Sequence, residues 1–349
     1  MLSRFFVVSV LVVSGLAHAQ SSVDPKFERL LPNEEALRQE IIAGILHLQK
    51  AQAVESGKPA LRGTHSKGVC AKAQFEILEG SKVGIFAYPG QYPATVRFAN
   101  AAGNIQDDQA DDVRSMSIAV EMPKSISNEN GRIDFSTNDA TTFPINDADV
   151  FAALMTLARK GKFAGAWEIG FKRVLAAKRA VELGADQQRP LYAAYQNMRY
   201  WSSVPFKYGP DQAIKYSFKP CQSGNLSKPL TADPNTLSLE LARHLSSDET
   251  MACFDFQVQV LDEEKMTNHW GKKFSRQDWI ENATWEWNEQ QAPFVTIARL
   301  TLLPNSLLPA AECEAVRMNV NVNTTADHIG LGSINRGRTG AEKASSVNR

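Results

Sequence analysis

Arg62-Gly63-Thr64-His65-Ser66-Lys67-Gly68 is a polar turn that runs into an alternating stretch, Ala73-Gln74-Phe75-Glu76-Ile77-Leu78. Successive side chains of a strand point to opposite faces, so this alternation marks a half-buried strand. Ala94-Thr95-Val96-Arg97-Phe98, Met116-Ser117-Ile118-Ala119-Val120 and Gly131-Arg132-Ile133-Asp134-Phe135 repeat the pattern. The Tyr88-Pro89-Gly90 turn and the acidic stretch from 102 to 112 separate them. A histidine in a polar turn at the mouth of a barrel can act as acid or base. Taken alone, His65 would more often be structural.

Upstream, residues 34 to 56 carry Leu37, Ile41, Ile45 and Leu48 at helical spacing, with Asn33 placed to cap them. Downstream, Asp147 and Asp149 are placed to cap a helix from 150 to 160. Further helices are expected within 163 to 184 and 188 to 200. Strands return at 213 to 218 and 254 to 261, with a helix from 235 to 246 between them. A Trp-rich stretch from 278 to 287 leads into a strand from 294 to 303. A short helix near 309 to 316 precedes a polar tail in which Gly337 and Gly340 disfavour helix. Strands, helices, strands and a helical end define an α+β chain built on an antiparallel β-barrel with surrounding helices.

The chain has 349 residues, 43% of them hydrophobic, enough to bury a full core. Lys plus Arg equals Asp plus Glu at 38 each. That balance gives no electrostatic argument for nucleic acid or an anionic membrane as partner. The charges from Arg159 to Arg179 read as the solvated face of helices. At the amino terminus, Arg4, the short apolar run from Phe5 to Leu16 and Ala17-His18-Ala19 form a signal peptide, residues 1–19. The expectation is an exported protein, periplasmic or secreted, with residues 20–349 as one domain and no stable membrane association. Cys70, Cys221, Cys253 and Cys313 allow three pairings or none.

The ordered set of motifs resembles catalases over about residues 60 to 340. Arg62, His65, Lys67, Gly68 and the following strand with Phe75 look like the segment of the distal histidine. Val96-Arg97-Phe98-Ala99 is similar to a family strand whose arginine pairs with a haem propionate, with Ala99 replacing a serine that supports the histidine. Arg114-Ser115-Met116-Ser117-Ile118 and the stretch from Asn138 to Asp147 follow in family order. Tyr200-Trp201-Ser202-Ser203-Val204-Pro205-Phe206 and the segment from Leu331 to Arg338 extend the likeness towards that of small bacterial catalase-related proteins.

The resemblance implies a catalase-like antiparallel β-barrel, haem b as cofactor and peroxide as substrate. It implies His65 and Asn138 as catalytic residues, with Arg62, Arg97, Phe143, Phe151 and Arg338 around the haem. A homo-oligomer is compatible with it. The family's proximal tyrosine is missing: Glu342 stands four residues after Arg338, where that tyrosine is expected. Arg338 and Glu342 are either an ordinary i,i+4 ion pair or a carboxylate ligand for iron beside its arginine. His328 is a further imidazole near this segment. Three functions follow: an exported haem-dependent catalase or peroxidase, a non-catalytic protein of the same fold with weak or no haem binding, or an exported structural or partner-binding protein that keeps only the scaffold.

Overall fold

The computed structural model describes residues 23–57, 62–221, 231–246 and 252–347. The signal-peptide segment, 1–19, lies outside the described residues. Helix α1 (Glu34–Ser56) precedes an antiparallel meander of β1 (Gly68–Ile77), β2 (Gly90–Asn100), β3 (Arg114–Glu121) and β4 (Arg132–Asn138). The chain then forms α2 (Ala148–Lys160) and α3 (Lys162–Gln187), and returns as β5 (Tyr200–Trp201), β6 (Phe206–Tyr208) and β7 (Gln212–Pro220). Helix α4 (Thr236–Leu245), β8 (Cys253–Val260), α5 (Arg276–Glu281), β9 (Phe294–Leu307), α6 (Ala310–Ala315) and α7 (Gly332–Val347) complete it.

The sheet closes on itself. Strand β9 pairs with β1 on one side and β8 on the other. The two-residue β5 pairs with both β4 and β7, while β6 extends β7 as a short hairpin. Closure removes the exposed edges an open sheet would leave. The result is the α+β antiparallel barrel expected from the alternation.

Side-chain alternation separates two environments. On β3, Met116, Ile118 and Val120 enter the core, and Ser115 and Ser117 face the other way. The core is aromatic: Phe135 and Phe256 have ring centroids 5.2 Å apart, and Phe218 and Phe256 are 5.0 Å apart. His328 is buried in it, stacked on Phe206 at 5.4 Å.

Three local expectations are corrected. Asn33 sits in the left-handed region (φ 56°) and makes no side-chain cap, whereas Asp147 does accept from Val150 N. No α-helix spans 188 to 200, where there is only a short 3-10 turn at Tyr195–Asn197. Arg189 precedes Pro190, which disfavours the helical region, and its backbone pairs with Asp112 in an isolated bridge. The tail does form a helix, α7, despite its glycines. Those glycines admit α1: a Cβ on Gly337 would lie 3.0 Å from Ile41 Cδ1, and one on Gly340 2.8 Å from Ile42 Cδ1. Tertiary packing here outweighs intrinsic propensity.

The cysteines pair as Cys70–Cys313 and Cys221–Cys253. The first ties β1 to α6.

Gly44 sets the closeness of α1 and α2, because a Cβ there would stand 2.3 Å from Met155 Cβ. Gly44→Ala gains up to about 1 kcal/mol of helix propensity but overpacks a buried crossing, which typically costs about 1–3 kcal/mol. Net destabilisation is expected in urea unfolding. A stabilised Gly44→Ala protein would mean that the two helices are not in this contact.

Candidate functional site

A cavity of about 390 Å³ lies against the outward face of β2, β3 and β4. Its size falls within the range usual for small-molecule sites. Eight residues singled out from the sequence line it: Arg62, His65, Arg97, Asn138, Phe143, Phe151, Arg338 and Glu342. Ser115, Ser117 and Ser136 add short side chains along the strands. Small residues leave a flat floor.

The register explains the convergence. Gly68, Ala99, Ser115, Asn138 and Trp201 are successive cross-strand partners from β1 to β5. Directly opposed residues have Cβ atoms about 4.5–5.5 Å apart. Ser115 therefore adjoins Asn138, and its Oγ also lies 3.0 Å from His65 Nδ1. One hydroxyl links the turn that bears His65 to the strand that bears Asn138.

His65 has φ 59°, an uncommon and costly conformation for a non-glycine residue. Its surroundings hold it there. His65 N donates to Ala101 O, and Ser66 N donates to Ala102 O. Arg97 Nη2 donates to His65 O at 2.8 Å. A side chain on Gly68 would collide with that guanidinium, since a Cβ would lie 2.7 Å from Arg97 Cζ.

Ser115 Oγ is also 3.2 Å from Ala99 O, a pure acceptor. With its proton directed there, Ser115 Oγ accepts from His65 Nδ1–H. That assigns the tautomer and leaves Nε2 as the unprotonated nitrogen. Burial first, and then the guanidiniums of Arg97, Arg338 and Arg62, hold the His65 pKa down at about 3. The ring is neutral near pH 7, as a proton acceptor must be. The hydroxyl beside His65 thus comes from Ser115, the cross-strand partner of Ala99.

Asn138 is oriented as firmly. Its Oδ1 accepts from Ala140 N at 2.9 Å and from Ser203 Oγ at 2.9 Å. The amide orientation follows from these donors, and Nδ2 remains as a donor for the cavity. Phe143 and Phe151 meet at a steep angle, centroids 6.4 Å apart, and form an apolar wall.

Four guanidiniums line the cavity: Arg62, Arg97, Arg317 and Arg338. Glu342 is the sole acid among the described lining residues. Its Oε1 lies 3.1 Å from Arg338 Nη2, and its Oε2 is buried with no hydrogen-bond partner among the described residues. Burial raises the Glu342 pKa, and Arg338 opposes the rise. Arg62 is already engaged: its Nε pairs with Glu314 at 3.2 Å, and its Nη2 donates to Val316 O at 2.6 Å. His328 is not on the cavity but buried in the aromatic core. Burial holds its pKa down at about 4.

Sequence reading missed two supports. Ser203 lies within the motif from Tyr200 to Phe206, but nothing in that motif marks it as the support of Asn138. Asp108, within the acidic stretch read as a separator, is a buried hub that accepts from Lys67, Asn100 and Leu237 N. A run of charges beside a polar turn carries no local sign that one of them will be buried.

No known family profile matches the sequence, and no curated protein is significantly similar to it. Solved structures do match. A fungal catalase superposes with TM-score 0.63 and 17% identity, covering 86% of this chain and 62% of that one. Catalase A from Saccharomyces cerevisiae gives 0.58 and 16%, over 85% and 61%. A bacterial catalase gives 0.56 and 16%, over 100% and 70%. The fold is catalase-like. This chain spans about three-fifths of the length of the first two.

Two outcomes are expected. Ser115→Ala leaves the buried Nδ1–H of His65 without a partner, at a cost of about 1–3 kcal/mol. A double-mutant cycle with His65→Ala should recover most of that as coupling energy, and purely additive losses would contradict the contact. The second outcome concerns acid. In the unfolded chain, His65 and His328 bind protons below about pH 6.5. In the fold they bind only below about 3 and about 4. Their contribution to stability is full above about 6.5 and falls as pH drops, by about 1.4 kcal/mol per pH unit for each histidine. His328→Phe fills the same aromatic slot without titrating. Its stability should fall less steeply from pH 6.5 to 4 than that of the parent, and equal slopes would refute the buried neutral ring. Carboxylates with raised pKa, such as Glu342, act with the opposite sign and cancel in this comparison.

Proposed function

We propose that this chain is a haem protein of catalase or peroxidase type, acting on hydrogen peroxide or organic hydroperoxides. The observation that carries the reading is the pairing of a bare imidazole nitrogen on His65 with an amide donor on Asn138, held to one cavity by Ser115. The cavity suits haem b: its floor is lined with serines, its wall is aromatic, and its cations match two propionates. A buried carboxylate oxygen without a partner among the described residues suits a metal centre.

When bound, haem supplies the redox-active iron. The residues of this chain would do the rest. Arg97 and Arg62 hold propionates by charge-assisted hydrogen bonds, Arg62 by exchanging its bond to Glu314. Phe143 and Phe151 exclude water. His65 Nε2 takes a proton from one peroxide oxygen and returns it to the departing one. Asn138 Nδ2 donates a hydrogen bond to the second oxygen and fixes its position. Glu342 would hold the iron, and Arg338 favours its ionised form. The arginine-linked carboxylate therefore takes the place of the phenolate that catalases use. The two disulfides and the amino-terminal segment support export to an oxidising compartment, periplasmic or secreted. Among the described residues, no helix is long and apolar enough to cross a membrane.

The engagement of Arg62 by Glu314 favours a second reading: a non-catalytic protein of this fold with weak or no haem binding. Absorbance titration with hemin separates the two. The first reading expects a saturable Soret shift that is lost in Glu342→Ala and kept in Glu342→Tyr. It also expects His65→Ala to retain the Soret band while oxygen release from peroxide drops by about 10²–10⁴. An unshifted spectrum in the parent chain supports the second reading. A Soret band unchanged in Glu342→Ala removes the carboxylate ligand.

A further inference from the structure

We propose that the outer face of α3 is a docking surface for anionic phospholipid headgroups. Helix α3 packs its inner side tightly on α2. Gly165, Ile169, Ala177 and Ala180 are buried, and a Cβ on Gly165 would lie 3.0 Å from Leu157 Cα. The outer side is unlike the rest of the surface. Phe163 is 95% exposed, Trp167 92%, Phe171 76% and Leu175 50%. They follow at intervals of four residues, one helical turn each, across a break at Gly170 (φ 78°, ψ 163°). Large apolar side chains left this bare mark an interaction surface.

Charge selects the occupant. Between residue 159 and the end of α3 at 187 stand seven cations and three acids, Glu168, Glu182 and Asp186, a net of +4 in a chain whose total is zero. Lys162 and Lys172 have no acidic partner among the described residues, whereas Arg159 pairs with Glu40, Lys160 with Glu168, Arg173 with Asp149, and Lys178 and Arg179 with Glu182. A second copy of the same face would bring like charge against like. A sheet of phosphate headgroups meets both demands: it neutralises the cations and accepts Trp and Phe at the depth of the glycerol backbone. The overall balance of Lys and Arg against Asp and Glu conceals this, because the excess is local. The inference is independent of what the cavity binds. Helix α3 would lie on the bilayer and not through it, as no described helix has a spanning apolar stretch.

The test is co-sedimentation of the full chain with vesicles of phosphatidylcholine alone and of mixed phosphatidylcholine and phosphatidylglycerol. Binding is expected to the mixed vesicles only. It should weaken when salt rises from about 0.1 M to about 1 M, which shortens the screening length from about 10 Å to about 3 Å. Lys162→Glu with Lys172→Glu should lower partitioning by more than about tenfold. Phe163→Ser with Trp167→Ser and Phe171→Ser should lower it comparably. These side chains are exposed, so circular-dichroism melting should stay close to that of the parent. No vesicle binding, equal binding to both vesicle types, or unchanged binding in either variant would overturn the proposal. A dimer in sedimentation that dissociates in the serine variant would also overturn it, assigning the face to a second copy.

Discussion

Everything in the cavity depends on one row of paired backbones, Gly68, Ala99, Ser115, Asn138 and Trp201, running across five strands at the rim of the barrel. A strand has a side-chain period of two, so a slip of one residue anywhere in this row would send Ser115 or Asn138 into the core. The aromatic interior penalises such a slip, because Met116, Ile118 and Phe135 would then face the cavity. Hydrophobic burial on one face thereby fixes polar geometry on the other. Two residues of β5 complete the ring, and Ser203 just beyond them reaches back to hold Asn138.

Beyond the strands, the cavity is closed by elements that are individually weak and jointly constrained. Helix α7 contains three glycines, Gly332, Gly337 and Gly340, and would be marginal alone. It is fixed at its start by Glu28, which accepts from Gly332 N at 2.7 Å, and by Glu281, which accepts from Ser333 N at 2.9 Å. Arg336 then pairs with Glu28, Glu34 and Glu281. Such carboxylates satisfy orphan donors at a helix N-terminus and favour its dipole. Further along, the close approach of α1 at Gly337 and Gly340 sets the height at which Arg338 and Glu342 meet the cavity. The disulfide between Cys70 and Cys313 anchors α6 next to Glu314, the partner of Arg62. Its effect is to brace the turn that carries His65.

The electrostatics of the site are one-sided. Four guanidiniums face one carboxylate, and the nearest three depress the basicity of His65. This keeps the imidazole neutral and ready to accept, and it leaves a positive field that an anionic ligand would relieve. The same surplus makes an unpartnered Glu342 oxygen tolerable, since a buried carboxylate needs a nearby cation to remain charged.

The amino-acid sequence by itself determined the longer strands, the buried face of each and the α+β order, because period-two alternation is a local record of which side meets the core; the two- and three-residue strands β5 and β6 carry too few residues for that record. It also marked every cavity residue that lies within a recognisable motif, from Arg62 to Glu342. Tertiary structure alone decided the rest. That the hydroxyl beside His65 comes from Ser115 depends on which strand lies opposite Ala99. The cysteine pairing depends on segments 243 and 32 residues apart meeting in space. His328, close to Arg338 in the chain, ends in the aromatic core because the intervening backbone turns away before α7 begins. Pairing across strands and helices is set by the sum of many distant contacts, and no single stretch of residues contains it.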